Sequence, residues 1–117
     1  MKILLATDGK TLESKIAKRF GHSNYYLIYD TESKKLDARI NSGHDDNHSN
    51  LIVLADEGVK NFIVSNIVPN AFRVLNDNNT KVYLASKTIA EEALNKFFNN
   101  ELEELTSPTL KRSIENH

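Results

Sequence analysis

The sequence predicts a single α/β domain in which helices cover both faces of a mixed sheet of about five strands. An aromatic hairpin near the start is followed by short apolar runs that alternate with amphipathic helical segments. Such alternation indicates parallel strands joined by right-handed crossovers. The chain has 117 residues, of which 39% are hydrophobic and 26% are charged. This composition is typical of a globular domain with its own core.

The first half of the chain predicts three strands. Residues 2–7 form a short apolar run that Asp8-Gly9 closes as a turn. Aromatic and β-branched residues fill positions 25–29, and positions 35–40 alternate as an edge strand does. Because a short polar turn separates these two runs, they predict a hairpin.

The second half predicts three helices that alternate with two strands. The first helix begins near Leu51, and Pro69 suits the first turn of the second. Thr88 is predicted to cap the third helix. The strands are expected at 62–64 and 81–85.

The predicted domain spans residues 1–106. Residues 107–117 are polar and contain one proline, so we expect a flexible C-terminal tail.

Charge and composition exclude several classes of protein. The net charge is −1, whereas a nonspecific nucleic-acid binder normally carries a basic excess. The chain has no cysteine, which excludes disulfides, thiolate nucleophiles and all-thiolate metal clusters. No apolar run matches a secretory signal or a membrane span. We therefore expect a cytoplasmic protein with neither nucleic acid nor membrane as a partner.

Three segments are expected to meet where ligands of open α/β sheets bind, at the carboxyl ends of the parallel strands. They are residues 7–9, 65–72 and 85–88. Helix N-termini at this edge favour an anion or a negatively charged cofactor. An alternative interpretation is that Asn66, like Asn70, only caps a helix.

The histidines offer a metal site. His44 and His48 are four residues apart, so on a helix both imidazoles would share a face and hold one metal ion. Residues 41–50 are strongly polar and predict a loop. In a loop, a spacing of four residues does not determine whether the two imidazoles lie close together. His22 stands alone in a predicted turn and suits several roles.

Several short segments follow one another in an order and spacing that is specific when taken together. They are residues 1–3, 6–9, 14–15, 19–21, 26–30, 54–59, 69–75, 81–83 and 91–94. Through them the chain, over about residues 1–106, resembles the dinitrogenase iron–molybdenum cofactor biosynthesis family of small cofactor-carrier domains. The resemblance implies a ribonuclease-H-like three-layer α/β/α fold with a five-stranded mixed sheet. It also implies non-catalytic binding of an iron–sulfur or iron–molybdenum cluster, or of its precursor.

On this hypothesis the cluster rests near the N-terminus of the second helix, and a donor or acceptor protein is the partner. The candidate cofactor-binding residues are Arg19, His22, Asn66, Pro69, Asn70 and Ala71, and the candidate metal ligands are His44 and His48. The chain is expected to be a monomer or a weak homodimer, since the edge strand at 35–40 can pair with a copy of itself.

Two further hypotheses remain. Family members usually carry glycines before the Pro-Asn pair and after the last strand, where this chain has residues 65–68 and 85–87 without glycine. A protein-interaction or regulatory domain that keeps the fold and has lost the cofactor site is therefore the second hypothesis. The third is a divalent-metal phosphoryl-transfer enzyme that uses Asp8 and Asp30 as paired carboxylates.

Overall fold

The computed structural model describes residues 1–41 and 49–109. Along these residues the chain forms one mixed sheet, three α-helices and a short 3-10 helix at Phe20–His22. The strands are β1 (Lys2–Thr7), β2 (Tyr25–Asp30), β3 (Lys35–Ile40), β4 (Val59–Val64), β5 (Lys81–Leu84) and β6 (Glu103–Glu104). The α-helices are α1 (Ser49–Asp56), α2 (Pro69–Asp77) and α3 (Ala90–Phe98).

The sheet has the order β3-β2-β1-β4-β5-β6. β1, β4 and β5 run parallel to one another. β2 is antiparallel to β1, β3 is antiparallel to β2, and β6 is antiparallel to β5. The predicted mixed sheet is confirmed, with six strands rather than five. The additional strand, β6, consists of two exposed glutamates that pair with Tyr83 and Leu84. Two adjacent glutamates have no apolar alternation, so the sequence carries no strand signal there.

Alternating side chains of β1 point to the two faces of the sheet. Leu4 and Ala6 join the core cluster that contains residues of α1 and α2. Ile3 and Leu5 join the cluster on the other face, which contains residues of α3. All four side chains are fully buried, and the predicted three-layer arrangement is confirmed.

The predicted hairpin is also present. β2 and β3 pair in a continuous antiparallel register from Tyr25–Ile40 to Asp30–Lys35. Lys34 closes the turn with a φ of 59° and donates its backbone N–H to the Asp30 carbonyl at 2.7 Å.

The starts of α2 and α3 differ from the predicted caps. Val68 is the N-cap of α2 and Ile89 is the N-cap of α3, and neither makes a side-chain capping hydrogen bond. The prediction that Thr88 caps α3 is therefore wrong, because the helix begins one residue later. The Thr88 hydroxyl instead donates to the Glu92 carboxylate at 2.9 Å.

Within the described part of the chain, none of the helices is both long enough and apolar enough to span a bilayer. Of the predicted tail, the structure describes only residues 107–109. There the Thr109 hydroxyl accepts a hydrogen bond from the backbone N–H of Ile67 at 2.9 Å.

Candidate functional site

A cleft of about 790 Å³ lies at the carboxyl ends of β1, β4 and β5. Residues from all three predicted segments line it, so their predicted convergence is confirmed. The lining residues include Asp8, Lys15, Lys18, Ser65, Asn66, Ser86, Lys87, Thr88, Glu92 and Thr109. A volume of this size falls within the range of small-molecule sites, which is roughly 300–1,000 Å³.

The loop that follows β1 forms the first wall of the cleft. It folds back on β1, since the Asp8 N–H donates to the Lys15 carbonyl at 3.0 Å and the Ala17 N–H to the Ala6 carbonyl at 2.8 Å. The Ile16 N–H donates to the Thr88 carbonyl at 2.9 Å and so ties this loop to the start of α3. These backbone bonds hold Lys15 and Lys18 at the rim of the cleft.

Gly9 makes the return of this loop possible. A Cβ atom at this position would lie 3.2 Å from the Cβ of Ser14 and closer still to its hydroxyl oxygen. Any larger residue would therefore displace Ser14. The Thr7 hydroxyl donates to the Gly9 carbonyl at 2.7 Å and fixes the same turn.

The connection between β4 and α2 forms the second wall. The Asn66 side-chain amide donates to the Lys18 carbonyl at 2.9 Å. The Asn66 carbonyl accepts the Phe20 N–H at 2.8 Å. Asn66 is therefore a cross-link between two loops, and the interpretation of it as a cap of α2 is wrong.

The third wall follows β5, where the Ala85 N–H donates to the Val64 carbonyl at 2.8 Å. Lys87 lies in this wall with a φ of 57°. Residues other than glycine rarely adopt this left-handed conformation, and it costs of order 1 kcal/mol. The loop therefore keeps a backbone conformation that suits glycine, while adding an ammonium group to the cleft.

A second, smaller cleft of about 300 Å³ continues from the first. Asp8 and Lys18 line both, and Ala17, Arg19 and His22 complete the smaller one. The imidazole of His22 is exposed on the 3-10 helix at Phe20–His22.

Positive charge exceeds negative charge in the two clefts taken together. The cationic residues are Lys15, Lys18, Arg19 and Lys87, and the anionic residues are Asp8 and Glu92. The Glu92 carboxylate accepts a hydrogen bond from the hydroxyl of Thr88. The excess of cations favours an anionic ligand, and its attraction is strongest at low ionic strength.

Comparison with known proteins gives a match to one family. Residues 1–100 match the model of the dinitrogenase iron-molybdenum cofactor family. The chain belongs to this family. A comparison with curated proteins gives no match.

Solved structures share the fold of this chain. A protein from Thermotoga, provisionally assigned as NifB, is 33% identical, with a TM-score of 0.82 over 96% of this chain and 97% of that one. The apo form of the orange protein from Desulfovibrio gigas is 17% identical, with a TM-score of 0.83 over 93% and 96%. A provisionally assigned dinitrogenase from Methanocaldococcus jannaschii is 23% identical, with a TM-score of 0.72 over 92% and 97%. The last two likenesses show the fold alone.

The structure distributes the predicted site residues of this family member over three places. Asn66 lines the larger cleft, and Arg19 and His22 line the smaller one. Pro69 and Asn70 are in the first turn of α2, so the interpretation of Asn70 as a cap is also wrong, and neither residue lines either cleft. Ala71 follows them and is buried in the core on the α1 and α2 face. His44 and His48 lie outside the described residues, so the metal pair there stays a prediction.

Lys15, Lys18 and Thr109 line the larger cleft, although the sequence did not predict any of them as a site residue. Lysines are common on every protein surface, so neither lysine stands out in the sequence. Lys87 follows a parallel strand directly, and the rule that ligands bind at strand ends points to its segment. Thr109 lies far along the chain in a polar stretch, where no local pattern indicates a contact with Ile67.

The paired carboxylates of the phosphoryl-transfer hypothesis are not paired. Asp30 lies opposite Lys2 at the start of β1, whereas Asp8 follows the end of the same strand. A strand of six residues spans roughly 20 Å. The two carboxylates therefore lie at opposite edges of the sheet, and the hypothesis that they share a metal ion is wrong.

Within the described residues, no group of three or more His, Cys, Asp or Glu side chains is arranged to hold a metal ion. The chain as a whole contains no cysteine. The described clefts thus offer four cationic side chains and one imidazole, beside the two carboxylates of Asp8 and Glu92.

Proposed function

We propose that this chain is a small, non-catalytic carrier or binding domain for an anionic iron–sulfur or iron–molybdenum type cluster, or for its precursor. The observation that supports the proposal most strongly is the cationic cleft at the carboxyl ends of β1, β4 and β5. Membership of the dinitrogenase iron-molybdenum cofactor family supports the class of cargo.

The residues of the cleft fit one mode of binding and not another. A cluster that needs protein thiolates has no ligand here, since cysteine is absent. A cluster that already carries its own sulfide is anionic, and ammonium and guanidinium groups bind anions through charge-assisted hydrogen bonds. Lys15, Lys18, Arg19 and Lys87 would hold such a cargo, with His22 as the one described imidazole that could ligate a metal atom.

Binding of this kind suits a carrier. Rim lysines are exposed, so their attraction is screened by salt and each contributes modestly. Cargo held by several weak contacts is released more readily than cargo held by thiolate bonds. We therefore propose that a donor protein loads the cleft and an acceptor protein empties it, in the cytoplasm, and that the domain itself performs no chemistry.

The experiment that tests the proposal is anaerobic transfer of a cluster. The protein is mixed with isolated iron–molybdenum cofactor or with an iron–sulfur cluster donor, and metal content and visible absorption are measured after gel filtration. The key variant is Lys15→Gln/Lys18→Gln/Lys87→Gln, which removes three positive charges from the larger cleft. Its matched control is Lys34→Gln/Lys60→Gln/Lys96→Gln, which removes three lysines that line neither cleft.

The proposal predicts that the native protein and the control retain metal and that the cleft variant loses most of it. Retention that falls with added salt supports the same conclusion. Failure of the native protein to retain metal contradicts the carrier proposal, and so does equal loss in the two triple variants. A His22→Ala variant, compared with a His22→Ala/His44→Ala/His48→Ala variant, then tells which imidazoles act as ligands.

A further inference from the structure

The two edge strands of the described sheet differ in length and chemistry. β6 has two residues, both glutamates, so its shortness and like charges oppose pairing with another chain. β3 has six residues, and in the described part of the chain β2 is its one neighbour. Half of the backbone N–H and C=O groups of β3 therefore point away from the sheet, and they are available to another strand.

One face of β3 carries apolar side chains, although the strand lies at an edge of the sheet. Ile40 is 70% exposed and Leu36 is 37% exposed. Both lie on one face of the strand with Ala38, whereas Lys35, Asp37 and Arg39 lie on the other face. Charges on an edge strand commonly prevent pairing, but here charges of opposite sign alternate along one face.

The geometry of antiparallel pairing limits how β3 can pair with a copy of itself. Residues that face each other are either both hydrogen-bonded or both not. In a symmetric pair, one residue of β3 must therefore lie directly opposite the same residue of the second copy. The two-fold axis passes midway between these two residues, and the register is named here by that residue. An axis at Asp37 or at Ala38 leaves five of the six residues of β3 paired, whereas an axis at any other position leaves at most three.

Of the two registers that pair five residues, only one matches charges and apolar groups. An axis at Asp37 places two aspartates opposite each other, and an axis at Arg39 does the same to two arginines. Both arrangements are unfavourable, since like charges directly opposite destabilise a sheet. An axis at Ala38 places each Asp37 opposite the Arg39 of the other copy.

The same register pairs the exposed apolar residues. With the axis at Ala38, each Leu36 lies opposite the Ile40 of the second copy. Two ion pairs and two apolar pairs then form around a small residue at the centre. Cross-strand pairs of both kinds stabilise antiparallel sheets.

We propose that β3 pairs antiparallel with β3 of a second copy of this chain, with the two-fold axis at Ala38, so that two sheets join into one. The charged partners are already ordered in each copy. The Arg39 guanidinium bonds to both Glu57 oxygens, at 2.8 and 3.2 Å, and to Asp37 at 2.9 Å. Because these side chains are already ordered in the monomer, they lose less conformational entropy on association, which favours the dimer.

The pairing joins two single strands and few other groups, so the interface is smaller than those of permanent dimers and the dimer is weak. No residue of β3 lines either cleft. No strand that forms the dimer is part of the candidate binding site. The dimer proposal can therefore be tested independently of the carrier proposal.

Substitution at the axis tests both the surface and the register. Ala38→Lys and Ala38→Glu each place two like charges opposite one another at the centre of the dimer, but a mixture of the two places a lysine opposite a glutamate. The control pair is Asn95→Lys and Asn95→Glu, at an exposed position of α3. Mass is measured by sedimentation equilibrium from micromolar to near-millimolar concentration, at low salt.

We expect the native chain and both control variants to reach the mass of a dimer as concentration rises. Each Ala38 variant alone remains a monomer, and an equimolar mixture of the two regains the dimer. A native chain that stays monomeric throughout overturns the proposal. Dimers formed by either Ala38 variant alone, or a mixture that stays monomeric, also overturn it, because position 38 then does not face its copy.

Discussion

Asn66 and Lys18 are joined by a hydrogen bond of 2.9 Å from the asparagine side-chain amide to the lysine backbone carbonyl. The two residues are 48 positions apart in the chain and belong to different walls of the same cleft. The backbone of Asn66 reinforces the link, since its carbonyl accepts the N–H of Phe20 at 2.8 Å. The position of the Lys18 ammonium in the cleft therefore depends on a residue that follows β4.

Replacing Asn66 by alanine tests this cross-link. Asn66→Ala removes the amide donor and leaves the Lys18 carbonyl to water, so we expect the free energy of unfolding to fall by about 1 kcal/mol. Metal retention in the transfer experiment is also expected to fall, because the wall that carries Lys18 is held less firmly. Urea unfolding monitored by tyrosine fluorescence measures the first effect.

The matched control is Asn95→Ala, which removes an exposed amide from α3. Alanine favours helix, so this change should leave stability the same or raise it by a few tenths of a kcal/mol. Equal effects of the two substitutions on stability would show that the Asn66 bond contributes nothing specific.

Lys87 combines an unfavourable backbone conformation with a place in the cleft. Its φ is 57°, and Lys34, in the turn between β2 and β3, has a φ of 59°. Glycine adopts this conformation without the Cβ penalty but loses more entropy on folding. We therefore expect Lys87→Gly and Lys34→Gly each to raise the free energy of unfolding by roughly 0.5–1 kcal/mol.

The two glycine variants should differ in binding. Lys87→Gly removes an ammonium from the cleft, so it should be more stable than the native chain and retain less metal. Lys34→Gly should gain stability and retain metal as the native chain does. If both retain metal equally, the Lys87 side chain takes no part in binding the cargo.

The sequence predicted the fold well because the fold depends on local patterns. The apolar runs at β1 and β4, the aromatic residues of β2 and the proline at the start of α2 each indicate their element without reference to the rest of the chain. β6 was not predicted, because its two glutamates form a strand only through their pairing with Tyr83 and Leu84. This pairing depends on the folded sheet, and the two residues themselves carry no pattern that indicates a strand.

The candidate site was predicted less completely for a similar reason. The strand-end rule located the three segments that build the cleft, and with them Asn66. It could not show that Asn66 bonds to Lys18, because that contact joins residues distant in sequence. Nor could it separate Ala71, which packs into the core, from its neighbours at the start of α2.

The ion pair between Arg39 and Glu57 predicts a pH dependence of stability. The hydrogen bond from Arg39 is the main cause that holds the pKa of Glu57 below its ordinary value of 4.5. A carboxyl group with a lowered pKa stabilises the folded state above its ordinary pKa, and this contribution is lost as pH falls through the folded value. Glu57→Gln should therefore be less stable than the native chain at neutral pH and equal to it in strong acid.

Urea unfolding of both proteins across the acid range measures this difference. The pair is exposed at the surface, so the difference at neutral pH should be small and should shrink further in high salt. Asp56→Gln changes the neighbouring carboxylate, for which no ion pair is described, and serves as the control. A difference between Glu57→Gln and the native chain that persists unchanged in strong acid would contradict the role of the ion pair.

Phe20 anchors the wall of the smaller cleft to the core. Its ring stacks on Tyr26 with centroids 5.5 Å apart and lies 5.8 Å from the ring of Phe62. Phe20 belongs to the loop that carries Arg19 and His22, whereas Phe62 is a fully buried residue of β4. We expect Phe20→Leu and Phe62→Leu each to lower the free energy of unfolding by roughly 1–2 kcal/mol, through lost packing.

The two variants should differ in where the chain opens. Loss of the Phe20 ring frees the adjoining loop, so trypsin should cut after Lys18 or Arg19 faster than global unfolding allows. Phe62→Leu weakens the sheet as a whole, and its cleavage at the same bonds should follow the fall in global stability. The cleavage sites are identified by mass spectrometry under native conditions, with global stability measured in parallel. Equal cleavage of the two variants at equal stability would show that the loop is held by its backbone bonds to Ala6, Asn66 and Thr88, and that the ring adds nothing local.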